Sequence, residues 1–142
     1  MLTDSGHWEH FPHEADMGIR GVATSLEEAF AQAAVALTAI VTDPSSVQAR
    51  ETITLEAADP DRELLFVDFL NALIFEMARH HMLFSRFQVT ITSGRLSATA
   101  QGETVDVARH HPAVEIKGAT YTALAVKHLD DGTWLAQCVV DV

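Results

Sequence analysis

Three histidines, His7, His10 and His13, crowd beside Glu9, Glu14 and Asp16 near the start of a chain of 142 residues. Imidazole together with carboxylate is the usual composition of a metal site or an acid–base pair. The spacing works against all three acting together. In an extended strand, residues three apart point to opposite faces, so they converge only if Pro12 bends the chain. His7 and His10 therefore read as exposed or edge-strand residues, and His13 is kept as a candidate because it stands close to Asp16. Asp16 lies between a turn at 12–15 and the apolar run Met17-Gly18-Ile19. A carboxylate at a strand entrance can simply bond turn amides, and a functional role needs a distant partner. Asp141 is one such partner. Trp134, Ala136, Cys138 and Val140 alternate with Leu135, Gln137 and Val139, so both faces of the last strand are largely apolar up to Asp141. Asp141 and the Val142 carboxylate would place two anions together, and a hard divalent cation with oxygen ligands compensates such a pair. A solvated chain end is the alternative.

The remaining polar clusters are less specific. Arg109, His110 and His111 precede Pro112 and Glu115-Ile116-Lys117-Gly118, a loop that suits a partner or a phosphate and equally suits solvent. His80 and His81, at a helix end, suit the terminal carbonyls. Cys138 has no basic neighbour to activate it and reads as a small buried hydrophobe. No G-x-S-x-G, H-E-x-x-H, G-x-G-x-x-G or phosphate-binding loop occurs. A metal-dependent hydrolase built on His13, Asp16 and a second carboxylate stays open.

The elements that must position these residues are readable from periodicity. Two short strands, 7–11 and 17–23, come first, the second with Gly18 and Gly21 inside it. Ser25 and Glu28 form a capping-box pattern that starts a helix. Leu26, Phe30, Ala33, Ala34, Leu37 and Val41 follow at helical spacing, and Asp43-Pro44 ends it. Residues 50–57 alternate as a half-buried strand, and Asp59-Pro60 opens a second helix, with the proline in its first turn, reaching about residue 80. Phe87, Val89 and Ile91, then Ser93-Gly94, then Leu96, Ala98 and Ala100 describe a hairpin. Two longer strands, 115–129 and 133–142, are joined by Asp130-Asp131-Gly132. The expected fold is a single α+β domain spanning 1–142, a mixed or antiparallel sheet with two helices on one face.

Composition narrows the function. The chain is 48% hydrophobic and 20% charged, and nine Lys and Arg against twenty Asp and Glu leave a net charge of −11. Such a balance argues against a broad basic surface, so any work on RNA is expected to run through a partner. One cysteine makes no internal disulfide and fits a reducing cytoplasm. There is no signal-peptide pattern, and the most apolar stretch, 29–41, is too short for the ~20 residues of a membrane span.

Taken together, these motifs resemble the archease family. His13-Glu14-Ala15-Asp16-Met17-Gly18-Ile19 resembles its His-Thr-Ala-Asp-Ile-Gly-Ile signature, and Ser25-Leu26-Glu27-Glu28-Ala29-Phe30 its first helix start. Asp68-Phe69-Leu70-Asn71-Ala72-Leu73-Ile74-Phe75 is similar to Asp-Trp-Leu-Asn-Glu-Leu-Leu-Tyr. Glu115-Ile116-Lys117-Gly118-Ala119-Thr120-Tyr121 is similar to Glu-Val-Lys-Ala-Val-Thr-Tyr, and Val140-Asp141-Val142 to the terminal Leu-Asp-Val. Glu14 stands where the family has threonine, and Phe69 where it has tryptophan. The resemblance implies a non-catalytic accessory protein of RtcB-type RNA ligases, which join a 3′-phosphate or 2′,3′-cyclic phosphate to a 5′-hydroxyl in tRNA splicing or RNA repair. Such a protein promotes guanylylation of the ligase and its multiple turnover, and meets RNA only through the ligase. It further implies a divalent metal, calcium first with magnesium or manganese as alternatives, held by Asp16, Asp141 and Val142. His13, Arg109, Glu115 and Lys117 become candidates for partner contact. A general chaperone or a modulator of nucleic-acid-modifying enzymes is the other alternative to the hydrolase.

Overall fold

In a computed structural model, which describes residues 6–142, β1 (Gly6–His13) and β2 (Asp16–Ala23) form an antiparallel hairpin. The chain reverses at Glu14, whose φ is 53°. Pro12 does not bend β1. It pairs with Met17 within an edge strand, where a missing N–H costs the sheet little.

α1 (Leu26–Val41) starts at the expected cap, with Ser25 Oγ accepting from the Glu28 N–H at 3.1 Å. The Glu28 carboxylate turns to Gln32 Nε2 at 3.4 Å, and only the serine's half of the capping pair is seen. Ala29, Phe30, Ala33, Ala34, Ala36 and Leu37 are fully buried, because small side chains let this helix lie close to its neighbours on several sides. Thr38 is buried as well, and its hydroxyl donates to Phe84 O at 2.6 Å.

β3 (Glu51–Ala58) leads to α2 (Arg62–His80), capped by Asp61, whose carboxylate accepts from the Glu63 and Leu64 N–H groups. Pro60 therefore lies before the cap and not in the first turn: Asp61 offers the better oxygen for the free amides. His81 closes α2 in the left-handed region, and His80 meets the Glu76 carboxylate at 3.0 Å instead of the terminal carbonyls. β4 (Met82–Thr92) and β5 (Arg95–Thr104) pair through a two-residue turn in which Ser93 and Gly94 both have positive φ. A four-residue helix, α3 (Val107–His110), follows.

The expected long strand over 115–129 is broken into β6 (Gly118–Ala119) and β7 (Ala125–His128), both paired with β8 (Trp134–Asp141). Five residues, 120–124, stand opposite only Cys138 and Val139, so the surplus bulges outward, with Ala123 at φ 55°.

Two antiparallel sheets result where one was expected. One orders β1, β2 and β8, with β6 and β7 sharing the far edge of β8; the other is β3-β5-β4. The helices pack against both. α1 touches β1, β2 and β8 of one sheet and β4 of the other, while α2 touches β3, β4 and β5 as well as β6, β7 and β8. An apolar helix with no wide polar face needs cover on two sides, which is the physical reason for the second layer.

Candidate functional site

The first and last strands of one sheet build the site. Along β2, Ile19, Gly21 and Ala23 face α1, so Asp16, Gly18 and Arg20 lie on the outer face. His13 pairs with Asp16 across the first hairpin, and Met17 pairs with Val140 across β2 and β8. One step along that register sets Asp16 opposite Asp141, and Asp141 in turn pairs with Gly118. His13, Asp16 and Asp141 thus form one row across three strands. The Lys117 N–H donates to Asp141 O at 2.8 Å and fixes that end of the row.

The rows behind it are tied together. The Phe11 ring lies over Gly18, where a side chain of any size would collide with it. The Arg20 guanidinium stands 4.7 Å from that ring, donates to Glu9 Oε1 at 2.7 Å and reaches Gln137 Oε1 at 2.8 Å. These contacts to Arg20, then to His7, hold the Glu9 carboxyl below its ordinary range. Among the described residues, by contrast, no side-chain hydrogen bond or ion pair engages Asp16. Asp16 and Val142 line one cavity of about 250 Å³, together with His10, Met17, Ile40 and Val114.

The three N-terminal histidines go separate ways, as their spacing requires. His7 bonds Glu9 at 2.7 Å, His10 donates from Nε2 to Ala36 O at 2.8 Å, and His13 Nδ1 stands 3.7 Å from Glu14. Among the described residues no three His, Cys, Asp or Glu side chains are placed to hold a metal by themselves. Asp141 is exposed, so solvent already screens it and its charge does not compel a counter-cation. The donor set of two carboxylate side chains and a main-chain carboxylate is all oxygen, and it fits a hard divalent cation better than a soft one.

Arg109 is not part of this row. Its guanidinium donates to Glu103 Oε1 at 2.6 Å and to Ser46 O at 2.7 Å. Glu103 is buried at 4% exposure, and its other oxygen accepts from Gln48 N–H at 2.7 Å and His110 Nε2 at 3.0 Å. The Asp106 N–H donates to His110 Nδ1 at 2.8 Å, which leaves the proton on Nε2. Glu103 carries no signal in the sequence, and His110, expected in a loop, sits buried in α3. Their burial comes from α3 and the segment after α1 folding over the end of β5, which no local pattern announces. Cys138 is fully buried, and burial pushes its thiol up to about 12, which suits packing and not nucleophilic chemistry. No helix among the described residues is long and apolar enough to cross a membrane.

The model of the Archease protein family matches residues 8–142. The protein archease of Pyrococcus abyssi is 37% identical over 139 residues, covering 95% of this chain and 98% of the relative. That of Sulfolobus acidocaldarius is 31% identical over 137 residues at the same coverage. The solution structure of Methanobacterium thermoautotrophicum protein 1598 superposes with a TM-score of 0.83 at 32% identity, covering 95% of this chain and 98% of that one. A match that runs from β1 through Asp141, over the strands that build the row, leaves one assignment: the chain belongs to the archease family.

Proposed function

We propose that this chain is a non-catalytic accessory protein of an RtcB-type RNA ligase, working in the cytoplasm to promote guanylylation of the ligase and its repeated turnover. Family membership over nearly the whole chain supports the reading. The observation that carries it to particular residues is the juxtaposition of Asp16 with Asp141 and Val142 at one sheet end. In this reading the Asp16 and Asp141 side chains and the Val142 carboxylate hold a divalent cation, calcium first, which would supply a fixed positive charge at an otherwise anionic tip. His13, one strand away, and Lys117, whose backbone holds Asp141, orient the tip toward the ligase. RNA is met only through that partner.

The test is a guanylylation and multiple-turnover ligation assay of a cognate ligase with and without the protein. Stimulation of both rates is expected, and Asp16→Ala should remove it. Equal rates in the presence and absence of the protein would sink the proposal.

A further inference from the structure

Beside the acidic row runs a feature that the row does not use. The C-terminal half of α2 and the segment between α3 and β6 enclose an apolar groove of about 440 Å³. Val41, Ile74 and Leu83 floor it, and Met77 and Val114 stand at its walls. Its size lies within the roughly 300–1,000 Å³ of sites that take organic groups. Val114, 40% exposed, also lines the cavity that holds Asp16 and Val142, so one residue separates groove and row. The polar groups at the groove are His81 and Glu115, both exposed. Glu115 at the rim, with Asp16, Asp141 and Val142 beyond Val114, gives this end an excess of carboxylates, and Lys117 stands two residues from Glu115.

We infer that the groove receives an apolar side chain of the partner protein, carried on a segment whose adjacent residues are lysine or arginine. The inference rests on the functional reading above, in that the partner is the ligase. Charge complementarity selects this occupant. A second copy of the chain would bring a net charge of −11 and the same acidic rim against this one. A free small molecule would find no buried polar side chain inside the groove to orient it. An apolar anchor flanked by cations satisfies both the groove and its rim, as in groove recognition of amphipathic segments.

Ala78→Trp places an indole in the groove from an exposed helical position and leaves the core intact. Glu115→Lys reverses the rim. The affinity of each variant for the purified cognate ligase is to be measured by calorimetric titration at low and high salt. Ala78→Trp should raise Kd about tenfold or more at both, the size of one anchor residue. Glu115→Lys should raise Kd at low salt, with the difference shrinking at high salt. Should Ala78→Trp fail to fold, Met77→Ala, which shortens the wall, should likewise raise Kd. An unchanged Kd in a folded groove variant overturns the anchor, and an unchanged Kd for Glu115→Lys at low salt overturns the basic neighbour. A wild-type protein that binds the ligase without stimulating it leaves the groove standing and removes the functional reading; one that does not bind removes both.

Discussion

Asp16 and Glu103 are both carboxylates near a sheet end, and their surroundings give them opposite tasks. Asp16 is half-buried and unengaged by other side chains, so removing it disturbs little packing. Asp16→Ala should change the unfolding free energy by no more than about 0.5 kcal/mol in a urea titration, while stimulation of the ligase is lost. Glu103 is committed to the fold. The Arg109 guanidinium, opposed by burial and aided by the Gln48 N–H and His110, holds its carboxyl well below the ordinary 4.5, at about 2. Because the folded value is the lower one, the stability it contributes is fully present above pH 4.5 and is lost as pH falls toward 2. Glu103→Gln should flatten that part of the acid-unfolding profile and cost about 2–3 kcal/mol at neutral pH, since it breaks a buried, multiply bonded charge pair. The first of these residues was legible in the sequence, because a carboxylate between a turn and an apolar strand invites a search for partners. The second was not, because its partners come from two separate segments, the one after α1 and the one in α3.

At the scale of elements, the close approach of α1 to β2 depends on Gly21. A Cβ there would overlap Ala29 O and Ala33 N, far inside van der Waals contact, and both are helix backbone atoms that cannot rotate away. Gly21→Ala should therefore destabilise the protein by about 2 kcal/mol, measured by thermal or urea unfolding, through displacement of the helix. The two long helices, α1 and α2, and the first five strands were readable, since their signals are local: alternation, helical spacing, Ser25 as cap, Ser93-Gly94 as turn. The broken strand after Gly118 was not. Its residues have ordinary strand composition, and the interruption is set by β8, which offers two residues where this side brings five. Pairing register is a property of two segments, and a reading of one segment cannot supply it.

For the whole molecule, the second sheet is what the sequence concealed and the family comparison supports, with a TM-score of 0.83 to a solved relative. The hydrophobic content was enough to announce a core, yet it did not say that α1 would be covered on both sides. The net charge of −11 acquires a location, since part of it collects at the end where β2, β6 and β8 meet. If that end meets the ligase, the association rate should fall as ionic strength rises, and stopped-flow mixing across a salt series should show it.

The pairing of β2 with β8 also has a consequence in time. β2 is synthesised well before β8, so the nascent chain long lacks the strand that completes the row. Closing so long a loop comes late and slowly in folding, because the entropy of the intervening chain must be overcome first. Without β8, Asp16 has no partner strand on that side and no paired carboxylate, so the row exists only once both ends of this long loop have met.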